Sequence, residues 1–297
     1  MNRTASDRTR SLLEIPVEKV EGAISVSVPD AIAIEEPLEI QLVYGSEHAR
    51  ISRPITVTMR TPGRDSELAV GFLLAEGVIR DAADILKVQN AFDRAEIESD
   101  SPSRLNTVRV ELAPGVQVNI SSLERNFYTT SSCGICGKAS LLALRSVCPP
   151  RCKNSFVISA ETLYQLPARL RDAQQVFDRT GGLHGAGLFD ADGNLHALRE
   201  DVGRHNAVDK LLGAEFLADR TPLHDKLLLL SGRASFELLQ KAVMAGLPMV
   251  AAVGAPSSLA VQVAREFDVA LVGFLRDNRF NIYHGAEHIS THIGTAV

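Results

Sequence analysis

Residues 226–275 read K-L-L-L-L-S-G-R-A-S-F-E-L-L-Q-K-A-V-M-A-G-L-P-M-V-A-A-V-G-A-P-S-S-L-A-V-Q-V-A-R-E-F-D-V-A-L-V-G-F-L, and their rhythm decides the fold class. Lys226–Leu230 is an unbroken apolar run of strand length, the pattern of a strand buried on both faces. Ser235–Ala245 then takes helical spacing and stops at Gly246, Pro248–Val253 is a second strand, Ser257 caps a helix to about Phe267, and Val269–Leu275 is a third strand. Strands alternating with helices across short loops predict a β/α unit with helices packed on a sheet.

Upstream of this unit, Ser159 can cap a helix running to Val176, kinked or restarted at Pro167. The stretch T-G-G-L-H-G-A-G-L-F at 180–189 opens a strand, Asp192-Gly193 supplies a hairpin turn, and Leu195–Arg199 returns. Farther upstream, alternating polar and apolar residues predict strands at Leu38–Tyr44, Ile55–Met59, Thr107–Leu112 and Val116–Ile120. One helix, capped by Asp65 or Ser66 and closed by Gly77, interrupts them. The expected organisation is a disordered lead at 1–18, an α+β lobe with an antiparallel sheet at 19–128, a mobile segment at 129–155, and a β/α domain at 156–297.

The chain has 297 residues, 45% of them hydrophobic, enough for a sizeable core. A formal charge of -5 argues against a general nucleic-acid binder, so any anionic ligand must be met by local cations. The N-terminal arginines are followed by no apolar segment of the secretory kind, and no stretch approaches a membrane span. Reduced thiols are expected.

Four cysteines form the series C-x2-C-x11-C-x3-C, with Cys133 and Cys136 in T-S-S-C-G-I-C-G-K at 130–138 and Cys148 and Cys152 in C-P-P-R-C. Apolar residues at helical spacing follow from 138 to 147, which places the first pair at a helix N-terminus beside Lys138. Such a setting stabilises a thiolate, the form that attacks another sulfur. Tetrahedral zinc held by all four cysteines is the main competing reading, and a structural disulfide the next. A phosphate loop is excluded because Ala139 follows Gly137-Lys138 and Ser132 stands where the first glycine belongs.

Three polar clusters fall at strand–helix junctions. The run R-E-D-V-G-R-H-N-A-V-D-K at 199–210 offers Arg204 and His205 to an anion or a heterocycle, unless it is a solvated helix face with pairs such as His205 with Asp209. Ser231, Gly232 and Arg233 stand between a strand and a helix, where free amides and a guanidinium can grip phosphate. Gly254–Ser258 repeats that arrangement. The third cluster, Phe274-Leu275-Arg276-Asp277-Asn278-Arg279, follows the last buried strand. Successive strand ends share one sheet edge in this kind of fold, so together the junctions favour a phosphate-rich ligand. His184, set among glycines, is a further candidate ligand or base. Zinc deaminase chemistry is not supported, since Ala186 occupies the position of the glutamate in H-x-E and no P-C-x-x-C follows.

With T-S-S-C-G-I-C-G-K at 130–138, T-G-G-L-H at 180–184, E-D-V-G-R-H-N-A-V-D-K at 200–210 and S-G-R-A-S-F-E at 231–237, the chain resembles, from about residue 20 onward, the formate dehydrogenase accessory sulfurtransferases of the FdhD/NarQ group. The resemblance implies that Cys133, assisted by Cys136, carries a persulfide received from a cysteine desulfurase. It implies delivery of that sulfur to a molybdenum or tungsten bis(guanine dinucleotide) pterin destined for formate dehydrogenase. It also implies a second domain similar to the cytidine deaminase fold, a cofactor-binding stretch at Phe274–Arg279, a GDP-like nucleotide as ligand mimic, a cytoplasmic homodimer, and no permanent metal. Cys148 and Cys152 lie outside the family's pattern. The alternative that stays open is a zinc-stabilised chaperone that holds the cofactor without touching its sulfur.

Overall fold

The computed structural model describes residues 11–90, 106–118, 137–149 and 153–291. In chain order the strands and helices are β1 (Leu12–Glu21), β2 (Ile24–Ala33), β3 (Glu36–Ser46), β4 (Ala49–Arg60), α1 (Asp65–Ala75), β5 (Ile85–Asn90), β6 (Thr107–Leu112) and α2 (Gly137–Val147). They continue with β7 (Ile158–Ser159), α3 (Ala160–Ala173), α4 (Gln175–Thr180), β8 (His184–Phe189), β9 (Leu195–Asp201), α5 (Arg204–Leu217), β10 (Leu227–Leu230) and α6 (Phe236–Met244). The chain closes with β11 (Met249–Ala252), α7 (Ser258–Glu266), β12 (Ala270–Arg276), β13 (Arg279–His284) and β14 (Ile289–Ser290).

The stretch 226–275 folds as expected. Strands β10, β11 and β12 are parallel neighbours joined through α6 and α7, in a six-stranded sheet of order β13-β12-β11-β10-β8-β9. The four leucines of β10 divide between two cores. Leu228 and Leu230 face a large core shared with α1, α5, α6 and α7, whereas Leu227 and Leu229 face a smaller one with Leu163, Leu166 and Leu170 of α3. Burial on both faces is why the strand shows no polar alternation.

The four-stranded sheet, order β4-β3-β6-β5, turns Leu38, Ile40, Leu42, Val108 and Val110 into the same large core. The lobe expected at 19–128 therefore shares its core with the β/α unit. Its sheet is mixed, because β6 enters beside β3 in parallel register after the α1 crossover; only the β3–β4 and β5–β6 pairs are antiparallel.

Several local expectations need correction. Residues 12–18 of the expected disordered lead form most of β1, paired along its whole length with β2. Residues 1–10 lie outside the described part. Asp65 opens α1 as its first helical residue after Arg64 rather than capping it, while Gly77 does follow the helix with a positive φ of 70°. Residues 116–118 are not strand, and 119–120 lie outside the described residues. The helix capped by Ser159 tolerates Pro167 but ends at Ala173, and α4 begins afresh at Gln175. The cap itself stands: Ser159 Oγ accepts from Thr162 N–H at 3.0 Å. Among the described residues, no helix is long and apolar enough to cross a membrane.

Candidate functional site

Sheet direction gathers the candidate residues. Strand β8 runs antiparallel to β10, with Ala186 opposite Leu230, so the start of β8 at His184 lies at the carboxyl end of β10. Strand β9 runs back along β8 and pairs Asp201 with His184, which puts the start of α5 at the same edge. There His184, Arg204 and His205 meet the loop 231–235 that leads into α6.

Backbone hydrogen bonds stitch the successive strand ends together. Gly254 N–H donates to Gly232 O at 2.9 Å, Ser257 N–H to Ala234 O at 2.9 Å, and Phe274 N–H to Gly254 O at 3.0 Å. The approach needs glycine, because a Cβ at Gly254 would stand 3.0 Å from the Gly232 carbonyl carbon and oxygen. The convergence inferred from the junctions is thus present for 231–235, 254–257 and Phe274.

Most of the run 199–210 is neither solvated nor facing this edge. Asp201 is fully buried and accepts from Gly203 N–H at 2.8 Å, Asn206 Nδ2 at 3.1 Å and Thr61 N–H at 3.1 Å, while pairing with Lys210 Nζ at 2.6 Å. Lys210 also donates to Thr61 O at 2.7 Å, and Asn206 Nδ2 to Met59 O at 2.7 Å. Glu200 accepts the amides of Val176 and Phe177 at the start of α4. Asp209 pairs with Lys241 at 2.6 Å rather than forming the solvated helix-face pair with His205. The motif therefore divides: Glu200, Asp201, Asn206, Asp209 and Lys210 hold elements together, and Arg204 and His205 stand at the strand-end edge beside the 231–235 loop.

The electrostatics of the remaining groups suit an anion. Arg204 Nε is shielded from solvent and has no hydrogen-bond partner among the described residues. Burial lowers the pKa of His184, helped by the charges of Arg204 and His205 and opposed by Asp201, so the ring is neutral near pH 7. His205 Nε2 lies 3.3 Å from Ser235 Oγ and 3.8 Å from Glu237 Oε2. The His205 ring, with Ser235 and the backbone assisting, holds the Glu237 carboxyl down at about 2. Neither α5, after Gly203, nor α6, after Ser235, has a side-chain cap at its N-terminus. Uncapped first-turn amides are ready donors to phosphate or carboxylate oxygens.

The other candidates fare unevenly. Gly232 lies against the His184 ring, whose Nδ1 would be 3.4 Å from an added Cβ. Ser231 Oγ accepts Gly185 N–H at 2.9 Å, which fixes β8 against the loop. Arg233 is exposed and forms no ion pair among the described residues. Ser257 caps α7 by accepting Ala260 N–H at 3.2 Å. Leu275 is a core residue, fully buried, and its side chain is not available to a ligand. Asp277 and Asn278 adopt φ of 54° and 52° in the turn between β12 and β13, with Arg276 and Arg279 exposed on either side. That turn joins the strand-end edge through Phe274. Glu237 and Thr61 were not singled out from the sequence: an exposed glutamate two residues past a cap looks like a solvated first-turn acid, and Thr61 acquires its partners only in three dimensions.

Cys133, Cys136 and Cys152 lie outside the described residues. Helix α2 starts at Gly137, directly after Cys136, as the apolar spacing predicts. Cys148 follows α2, half-buried against the large core, with Sγ 3.3 Å from Pro149 O.

A mixed α/β protein with a cationic, helix-lined cradle at the strand ends and a C-x2-C pair before a helix is the class these observations define. Residues 33–290 match the model of the FdhD/NarQ family, and the chain belongs to that family. It is 51% identical over 272 residues to the "Sulfur carrier protein FdhD" of Streptomyces coelicolor, covering 91% of this chain and 92% of that one. The protein of the same name from Sulfurisphaera tokodaii is 38% identical over 275 residues, covering 93% and 98%. A crystal structure described as a formate dehydrogenase accessory protein from Desulfotalea psychrophila shares the fold, with TM-score 0.71 and 21% identity over 95% of this chain and 100% of that one.

Proposed function

We propose that this protein is a sulfur carrier in formate dehydrogenase maturation, loading sulfane sulfur on Cys133 and delivering it to a molybdenum or tungsten bis(guanine dinucleotide) pterin held at the strand-end cradle. The names of its relatives support the carrier role. The observation that supports the chemistry is the start of α2 at Gly137, because Cys136 directly precedes it in the sequence and a helix N-terminus favours a thiolate.

In the loading step the Cys133 thiolate attacks the terminal sulfur of a cysteine desulfurase persulfide. A Cys133 Sγ–S bond forms, the donor S–S bond breaks, and the donor leaves as a thiolate with the electron pair. In the delivery step the Cys136 thiolate attacks Cys133 Sγ; a Cys133–Cys136 disulfide forms and sulfide leaves for the metal, so the two thiols are oxidised as the sulfane sulfur is reduced. An external thiol must then reduce the disulfide. The pterin is cargo, its phosphates met by Arg204, Arg233 and the Arg276–Arg279 turn.

Incubation with desulfurase and cysteine should raise the protein's mass by one sulfur, and Cys133→Ala should abolish the gain. A Cys133→Ala protein that still supports formate dehydrogenase activity in a strain lacking the native gene would overturn the assignment.

A further inference from the structure

The sheet edge opposite the cradle carries a second group of polar side chains. Strand β13 runs antiparallel to β12 and pairs His284 with Leu271, so His284 stands at the amino end of β12, where Asp268 precedes the strand. The single 3-10 turn Ala286–His288 follows and returns Glu287 and His288 to the same place. One ligand atom from each of Asp268, Glu287 and His288 lies within 4.8 Å of the others.

The histidines are set as metal ligands are. His288 is only 7% exposed, and its Nδ1 lies 2.9 Å from Phe156 O, a carbonyl that can only accept. In the neutral ring Nδ1 therefore carries the proton, and Nε2 keeps its lone pair 3.9 Å from Glu287 Oε1. His284 Nε2 is shielded from solvent, has no hydrogen-bond partner among the described residues, and lies 3.5 Å from Asp268 Oδ1. Neighbouring ligands on a tetrahedral zinc stand about 3.3 Å apart, so both imidazole–carboxylate separations need only a small closure. Asp268 and Glu287 are exposed, and among the described residues neither pairs with a lysine or arginine, so their carboxylates can close on an ion.

We propose that Asp268, His284, Glu287 and His288 bind a divalent transition metal of the zinc type, a structural site tying the end of β13 and the turn after it to the start of β12. Two imidazoles and two carboxylates make a nitrogen–oxygen set that suits zinc, whereas magnesium and calcium prefer oxygen alone. The Phe156 carbonyl orients the His288 ring from just before β7, which couples the ion to the β7–β14 pairing as well. The site uses no cysteine and lies at the sheet edge away from the cradle, so it stands independently of the carrier reading.

Cobalt(II), a spectroscopic stand-in for zinc, added to the chelator-stripped full chain tests this. The wild type should bind it with the visible d–d bands of nitrogen–oxygen ligation; cysteine ligation would add a thiolate-to-metal charge-transfer band. Asp268→Asn, Glu287→Gln and His284→Gln should each weaken that binding about tenfold or more, at least the loss expected for an outer-shell partner. Asp268→Asn combined with Glu287→Gln should abolish the nitrogen–oxygen bands while keeping the metal-free thermal midpoint, since both side chains are exposed. A wild type that gives no cobalt spectrum, one whose spectrum is of thiolate ligation alone, or nitrogen–oxygen bands that persist in the double variant would each overturn the proposal.

Discussion

Arg204 begins α5 with its Nε hidden from solvent and, among the described residues, without a hydrogen-bond partner, an arrangement that costs about 1–3 kcal/mol unless something binds there. His184 beside it is held neutral by burial and by the neighbouring positive charges. The sign of the linkage follows. A histidine whose folded pKa lies below its ordinary value of 6.5 opposes folding on the acid side, so its share of stability is full above that value and falls away as pH drops beneath it. An anion seated between Arg204 and His184 offsets the repulsion and lets the ring take up a proton. Calorimetry with GDP should therefore show proton uptake on binding, with affinity decreasing less on acidification in the wild type than in His184→Gln. Arg204→Gln should weaken GDP about tenfold through loss of charge-assisted hydrogen bonds. If Arg204→Gln binds GDP as the wild type does, the cradle is elsewhere.

At the level of elements, the crossing of α1 and α5 sets the position of the cradle. Gly71 of α1 lies against the carbonyl oxygen of Asp209, and Gly213 of α5 against that of Glu67, so a methyl group at either would collide with backbone. Neither has a positive φ; the need is for close approach. Gly71→Ala should cost about 3 kcal/mol, read as a lower midpoint in urea unfolding, and should displace the Arg204 end of α5 enough to weaken ligand binding. This also shows what the sequence makes legible. The β10–α6–β11–α7–β12 order is local information: apolar runs, a cap at Ser257, a stop at Gly246. Helices α1 and α5 are buried nearly all round, so neither carries the polar stripe that would reveal its packing partner, and the two glycines read as ordinary weak helix formers. The first strand of the β1–β2 hairpin is not legible in the sequence because residues up to 18 are polar and without period; it is the cross-strand register that makes it a sheet. The motif at 200–210 is recognisable as special, yet the division of its charges depends on Thr61, Met59 and Lys241, between 32 and 149 residues from their partners in the chain.

Across the whole molecule, buried ionic pairs lock the two sheets together. Asp201 and Lys210 reach across to Thr61 at the end of β4, Arg60 is held by Asp65 at 2.9 Å, and Asp209 meets Lys241 of α6 at 2.6 Å. Desolvation makes such pairs poor sources of net stability, but removing one partner leaves a buried charge uncompensated. Burial raises the Asp209 carboxyl pKa even with Lys241 opposing the shift. Lys241→Met should then cost about 3–5 kcal/mol at neutral pH. The cost should shrink as pH falls, because protonation of Asp209 removes the stranded charge; a carboxyl with a raised folded pKa loses stability as pH rises through that value. Lys241→Met combined with Asp209→Leu should recover most of the loss, since two apolar side chains of similar volume need no partner. If the pair served fold stability alone, that double variant would bind GDP like the wild type. Tighter binding in a stable double variant would show instead that the Asp209 charge is felt at His205 four residues back along α5, where the same carboxylate and the ligand compete for one imidazole.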